Sequence, residues 1–386
     1  MMYDVIVVGG GPVGGAVARA LAPRCSVLIV EEHQEIGIPV QCAGLVSPRL
    51  LELAGVHEGQ NEVTDALIYS PRGHELRIHS KEVKGVVIDR RAFDRTIVKG
   101  ALKNGADIRL GTRVKGARRE PDGVEVSFRG SSSGAKERGK ILVGADGAHS
   151  TIARQFPEFG KPRYVNAFEA EMAPVDCEPH TIYVWLGHRA APGFFSWVIP
   201  VDESTARVGV GSESNPYSHF KRLLGPNTPF APMLKGAKPI HHLAGSIPMG
   251  PLKTMCEGRV MLVGDAAAQV KPLSGGGLYP GLIGARHCAT AILEALEKGT
   301  TLGRYQKRWS REIGGEIKRG MYMRKKFVEL SDEAMDMIFD VIDDPKIMAL
   351  LSKHADLDFP SKAAKAALLS PLGLRAGKLL RIARMR

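Results

Sequence analysis

The glycine turn at residues 9–14 constrains this chain more than any other feature of it. Gly9-Gly10-Gly11-Pro12-Val13-Gly14 places glycines at 9, 11 and 14, a G-x-G-x-x-G spacing. Before it, Tyr3-Asp4-Val5-Ile6-Val7-Val8 reads as a buried strand, and the pattern from about Gly14 to Leu21 reads as a helix. A second β-rich run, Ser26 to Val30, ends at Glu31, closing a β-α-β unit. Glycine at 9 permits the tight turn, glycine at 11 lets a pyrophosphate approach the backbone, and glycine at 14 lets helix and strand pack closely. The helix N-terminus then faces the anion. A carboxylate at the end of the second strand accepts hydrogen bonds from a ribose diol, and Glu31 fits that place better than its neighbour Glu32. In a chain with 44 glycines the spacing alone says little. Its position between strand and helix makes it a dinucleotide site, suited to NAD or FAD.

The remaining pattern divides the chain. Residues 62–80 look like a hairpin turning at Ser70-Pro71-Arg72-Gly73, and a helix over about 91–104 ends at Gly105. Short strands are predicted at 107–110, 113–118, 123–128 and 140–143, with Ser131-Ser132-Ser133-Gly134 as a hairpin tip. From 163 to 250 short alternating strands and turns dominate. A buried strand returns at 258–264, followed by helix over about 276–298 and further helices from 303 onward. The expected fold class is α/β: a Rossmann-type cofactor domain, a mostly antiparallel β substrate domain and a C-terminal helical region. The cofactor domain takes residues 1–61, 85–160 and 253–300. The substrate domain takes the hairpin 62–84 and the sheet 161–252, and 301–386 is helical and basic.

Composition narrows the class further. With 386 residues, 44% hydrophobic and 24% charged, the chain is long enough for two or three packed units of ordinary globular character. No run reaches the roughly 18 apolar residues that span a bilayer. The start lacks the basic region of a signal peptide, so a cytoplasmic location is expected. Cys25, Cys42, Cys177, Cys256 and Cys288 are scattered, with no C-x-x-C pair, so neither a disulfide framework nor a metal site is indicated. His241-His242 lacks a partner at metal-ligand spacing and is expected to face solvent. The acidic run Asp332 to Asp344, opening after Ser331, reads as a capped surface helix. The net charge of +12 concentrates in Arg304–Lys326 and in 361–386, where seven Lys or Arg meet no acid. Such a terminus suits nucleic acid, anionic lipid or simply water.

Three further segments favour FAD. Gly144-Ala145-Asp146-Gly147-Ala148-His149-Ser150, with Arg154 beyond, resembles the D-G motif of the aromatic-hydroxylase branch of FAD enzymes. Gly258 to Ala267 resembles that branch's second motif, whose aspartate, here Asp265, contacts the ribityl chain. Asp89-Arg90-Arg91-Ala92-Phe93-Asp94 resembles its D-R-x-x-F-D segment, which brings Arg90 to the flavin region. After Asp265, Pro272 to Leu278 is glycine-rich backbone opening a helix, suited to stabilise negative charge on a reduced flavin. The resemblance implies FAD contacts at Gly9, Gly11, Gly14, Glu31 and Arg90, and at Val114, Asp265, Gly277 and Leu278. No second fingerprint for a dedicated NAD(P)H domain is present.

Within that superfamily, Tyr183-Val184-Trp185 followed by Gly193-Phe194-Phe195-Ser196-Trp197-Val198-Ile199-Pro200 resembles the Y-x-W…G-x-x-x-W-x-x-P signature of the geranylgeranyl reductase family. Alternation puts Tyr183 and Trp185 on one face of a strand, and Phe195 and Trp197 on one face of the next. The resemblance implies that these four wall an apolar slot for a polyprenyl chain. Glu35 to Gly44 resembles the segment that brings a cysteine to the flavin in archaeal members of that family, with Gln41-Cys42-Ala43-Gly44-Leu45 where those enzymes commonly show R-C-G-E-G. Cys42, Ala43 and Leu45 are therefore expected at the flavin, Cys42 as proton donor, gate or packed small residue.

The resemblance implies a digeranylgeranylglycerophospholipid reductase-like activity, in which reduced FAD saturates isolated double bonds. The implied partners are a geranylgeranylated glycerophospholipid, a peripheral anionic membrane surface for the basic tail, and an electron donor such as reduced ferredoxin. Nucleic acid is not among them. A flavin hydroxylase, a reductase of free geranylgeranyl diphosphate or a prenyl quinone, and a non-catalytic prenyl carrier stay open on the sequence alone. None of the carboxylates in the aromatic signature stands out as a proton donor.

Overall fold

The computed structural model describes residues 2–129 and 136–369. The serine-rich tip at 131–134 and the end of the basic tail, 370–386, lie outside them.

Five strands form a parallel core in the order Val260–Leu262, Lys136–Gly144, Met2–Val8, Val27–Val30, Asp107–Arg109. The central ones are continuous runs of Val, Ile and Leu because both sheet faces are covered. Val5, Ile6, Leu28, Ile29, Leu142 and Met261 have no measurable exposure. Three strands join this core antiparallel: Cys256–Glu257 at one edge, and Val114–Glu120 with Gly123–Phe128 beside Lys136–Gly144. The helix Pro12–Leu21 packs against both Arg90–Lys103 and Leu278–Lys298. Asp89 caps Arg90–Lys103 by accepting from the N–H groups of Arg91 and Ala92.

A second sheet of seven strands runs Lys238–Met249, Arg163–Ala173, Ala206–Ser212, Phe195–Pro200, Thr181–Leu186, Asp65–Tyr69, Glu75–Ile78. Every neighbouring pair is antiparallel except Thr181–Leu186 with Asp65–Tyr69, which is parallel. The early hairpin thus contributes the last two strands of a sheet built mostly from residues a hundred positions later. A small third sheet, Leu45–Val46, Gly85–Val87 and Asn61–Val63, lies at the two chain crossings between cofactor and substrate segments.

Beyond the long helix come Arg304–Glu312, Gly314–Val328, Asp332–Ile342, Pro345–His354 and Ser361–Leu369. The acidic helix Asp332–Ile342 is a surface helix capped by Ser331, as expected, and its acids also make specific contacts. Asp336 accepts from the Ser70 hydroxyl and the Arg72 N–H, Asp340 and Asp343 hold His74, and Asp332 accepts from the N–H groups of His188 and Arg189. Its charge serves to dock it on the hairpin turn of the second sheet.

Further on, residues 356–361 fold back over the cofactor side. Asp358, fully buried, takes the Lys271 ammonium at 3.1 Å and the Ser47 hydroxyl, with Arg49 at 3.2 Å. Removing one member of a buried pair leaves an uncompensated charge, at about 3–5 kcal/mol. Asp358→Ala is therefore expected to lower unfolding stability by about that amount, read by urea denaturation of the FAD-free protein. An unchanged midpoint would mean that Lys271 finds water instead.

Candidate active site

One cavity of about 1200 Å³ lies between the two large sheets. At its first end stands the glycine turn. Gly9 has φ +106°, and a side chain there would run into the Ala145 carbonyl. A Cβ on Gly14 would strike the Gly9 carbonyl, so this glycine sets how closely helix and strand pack. Gly11 differs: a Cβ there meets nothing within 4 Å, because the space above it is the cavity itself. Gly11 also caps the helix with no side-chain hydrogen bond, leaving the N–H groups of the first turn unengaged by side chains. Glu31 is buried at the rim, accepting from the Gly10 N–H at 2.7 Å and from the His33 N–H at 2.9 Å. Glu32 also borders the cavity but is paired with Arg113 at 3.1 Å.

The long helix Leu278–Lys298 starts at the same cavity, and its cap, Gly277, again lacks a side-chain hydrogen bond. Two bare helix N-termini thus open into one space, the arrangement that an anionic dinucleotide requires. Asp265 stands in the wall beside Gly277. Burial pushes its carboxyl up to about 6 against the opposing charge of Arg90. Arg90 forms a two-pronged pair with Asp94, both contacts at 3.1 Å, and lies beside the Cys42 thiol. Cys42 accepts from the Gly44 N–H at 3.3 Å, and Ala43, Leu45 and Val114 complete this part of the lining. A glycine turn open to the cavity, a buried carboxylate at the end of the second strand and an uncapped helix end fit FAD. Asp146, from the D-G motif, has a local duty. Its carboxylate accepts from the Ser150 hydroxyl and the N–H groups of Thr151 and Ile152, holding the helix Thr151–Gln155.

The other end of the cavity is one face of the second sheet. Pairing sets Val184 opposite Trp197, which is opposite Gly209, then Glu169, then Leu243. A neighbouring row holds Leu186, Phe195, Ala167 and Gly245. A Cβ on Gly209 would collide with the Trp197 indole, so the ring lies flat across this strand. Its Nε1 reaches the next strand and donates to Glu169 Oε2 at 2.6 Å.

This register corrects the expected slot. Phe195 and Trp197 face the cavity, but Tyr183 and Trp185 belong to the opposite face, because their partners are Val198 and Ser196. Trp185 is absent from the lining; it donates to the Ser70 carbonyl at 3.1 Å and packs edge-on against Phe230. Tyr183 borders the cavity while its hydroxyl accepts from the Glu178 N–H. The residues that actually take their place are Ile182, Val184 and Leu186.

Glu169, Arg207, Gly209 and Lys271 went unnoticed in the sequence. Glu169 is 2% exposed and lines the cavity, with burial pushing its carboxyl up to about 7. Arg207 spans from the sheet to the cysteine loop, donating to the carbonyls of Ala43 and Ile88 at 2.9 and 3.0 Å. The available signal was an acid at an inward position of a strand whose neighbour carries Gly209-Val210-Gly211. His241 and His242 are exposed on the edge strand, and among the described residues no cluster of His, Cys, Asp or Glu could hold a metal.

Comparison with known proteins agrees with this geometry. A family model described as an FAD binding domain matches residues 2–218. Digeranylgeranylglycerophospholipid reductase 2 of Methanopyrus kandleri is 34% identical over 91% of this chain and 93% of its own. The protein of the same name from Methanothermobacter thermautotrophicus is 32% identical over 94% and 98%. A solved structure of a geranylgeranyl bacteriochlorophyll reductase-like protein from Thermoplasma acidophilum superimposes with a TM-score of 0.84, at 26% identity and 98% of both chains. A flavin-dependent brominase, 17% identical with a TM-score of 0.74, shares the fold alone. The chain belongs to the FAD-binding flavoproteins and, within them, to the digeranylgeranylglycerophospholipid reductase family.

Proposed function

We propose that this protein is an FAD-dependent reductase that saturates the isolated double bonds of geranylgeranyl chains on a glycerophospholipid, a step in membrane-lipid synthesis. The observation that carries this reading is the single cavity that joins a dinucleotide cradle to an apolar sheet face. Bound FAD, once reduced by two electrons, supplies a hydride. The chain's own residues do the rest. The turn at Gly11 seats the pyrophosphate, Glu31 the ribose, and the start of the Leu278–Lys298 helix offsets negative charge on the reduced ring. Val184, Leu186, Phe195, Trp197 and Leu243 hold the alkene and keep water out. Cys42, beside Arg90, sits where loop meets cavity and is assigned to the flavin edge.

Reduced protein incubated without oxygen with a geranylgeranylated glycerophospholipid is expected to add hydrogens to the lipid in pairs, read by mass spectrometry. No gain of mass on any geranylgeranyl lipid would discard the reading. A hydroxylase would instead consume oxygen and NADPH.

No helix of the described residues is long and apolar enough to cross a membrane. A phospholipid substrate must still be taken from a bilayer, and we assign the basic C-terminus to its anionic surface, with electrons arriving from reduced ferredoxin or another reductant. Residues 370–386 carry Arg375, Lys378, Arg381, Arg384 and Arg386 and no acid. Each such charge is worth about 1 kcal/mol near anionic lipid. Deleting 370–386 is expected to weaken salt-sensitive binding to phosphatidylserine vesicles about tenfold or more, by sedimentation. Equal binding by the shortened protein would remove the tail from this role.

A further inference from the structure

An isolated alkene needs a proton as well as a hydride, and the largely apolar sheet face proposed to hold it offers few groups able to give one. Among the carboxyl groups in the cavity wall, Glu169 alone stands on the sheet face where the prenyl chain is proposed to lie. Its Oε2 accepts from Trp197 Nε1 at 2.6 Å, while its Oε1 is buried with no hydrogen-bond partner among the described residues. A buried carboxylate with an unmatched oxygen is a costly way to hold an indole; a glutamine would do so without the charge. What glutamate adds is an acid.

We propose that Glu169 is the catalytic acid that protonates the alkene carbon next to the one receiving the hydride. The proposal rests on the reductase reading. In the step the π bond breaks. One carbon gains hydrogen with an electron pair from the two-electron-reduced flavin, and the other gains the Glu169 proton as the O–H bond breaks. A carboxylate remains and is reprotonated from water before the next bond is reduced. Trp197 is then a positioning residue: its N–H stays on the oxygen that becomes negative, and Gly209 lets the indole reach it.

The surroundings suit an acid that works near neutrality. Burial holds the proton on Glu169, pushing the group up to about 7, and the Trp197 hydrogen bond and the Arg207 charge act against this. The charged groups facing it are Arg207 on the neighbouring strand and Glu171 on its own, which pair with each other at 3.7 Å. Arg207 is further engaged by the carbonyls of Ala43 and Ile88 and by Gln60, so its charge is shared rather than aimed at Glu169. From the remaining neighbouring strands come the uncharged Trp197 and Leu243.

The test is Glu169→Gln, which keeps an acceptor for Trp197 and removes the acid. General acid catalysis contributes roughly 10²–10⁴-fold. Reduced E169Q mixed anaerobically with geranylgeranyl lipid should reoxidise about a hundredfold or more slowly, with full FAD content and Glu169→Asp partly restoring the rate. Because the acid form is populated below about pH 7 and lost above it, the wild-type rate should fall as pH rises through that range, whereas the residual E169Q rate should not. A readout free of turnover is the infrared spectrum of FAD-stripped protein: wild type should lose a buried carboxyl C=O band over the same range, and E169Q should lack that band. Wild-type rate and pH profile in E169Q overturn the proposal alone. So does a variant whose flavin spectrum shifts while lipid reduction is unaffected. A wild type that reduces no prenyl lipid overturns the reductase reading and this proposal together.

Discussion

Gly11→Val is expected to yield a folded, colourless protein. At φ −72° and ψ 179°, Gly11 has an extended backbone that any residue adopts, and nothing lies within 4 Å of the added Cβ. The valine therefore costs the protein no internal contact. Its methyl groups occupy the space through which the pyrophosphate must approach the helix N-terminus, and the cofactor is excluded. Circular dichroism should match wild type, melting should match FAD-stripped rather than FAD-loaded wild type, and bound flavin absorbance should be lost. Gly14→Val provides the contrast: its Cβ strikes the Gly9 carbonyl, so that variant should fail to fold properly. A Gly11→Val protein that retains full FAD would displace the pyrophosphate from this turn.

Trp197→Ala should slow lipid reduction about a hundredfold while leaving the flavin bound and reducible. The indole covers the middle of the sheet face and contributes no element of the dinucleotide cradle. Without it the alkene is held loosely, and misplacement of a reacting group by about 1 Å costs roughly a hundredfold in rate. Truncating a buried tryptophan also costs about 3–5 kcal/mol of stability, so folding must be checked alongside. Trp185→Ala separates the two effects. It is equally buried but faces away from the cavity, so it should lower stability by a similar amount and leave the single-turnover rate nearly unchanged. Equal slowing by both variants would mean that general loosening of the sheet, not the cavity face, limits the reaction.

The cofactor half of the molecule was legible because its signals are local. Gly9 to Gly14 and the helix after Asp89 lie within a few residues of what they organise, Glu31 follows at the end of the very next strand, and the structure keeps their spacing. The substrate half was legible as a sheet but not as a surface. Alternation tells which residues of one strand share a face. It cannot tell that Val184, not Trp185, stands opposite Trp197, and a shift of one residue exchanges the faces. Glu169 was hidden for the same reason. Within Phe168-Glu169-Ala170-Glu171 it looks like any strand glutamate, and only the row through Gly209 and Trp197 marks it. The acidic helix Asp332–Ile342 was legible as a capped surface helix, but not what it docks on, because its partners, Ser70 to His74 and His188, are far away in sequence.

The Ser47–Asp358 contact joins positions 311 residues apart. A ribosome adds about 5–20 residues per second. Ser47 therefore leaves it about 15 to 60 seconds before the segment that buries Lys271. The cradle is finished only when Asp265, Gly277 and the Leu278–Lys298 helix have followed, and the closing segment arrives last. Residues 356–361 are therefore the last part of the cavity wall to be made, and Lys271 lacks its buried partner until they arrive.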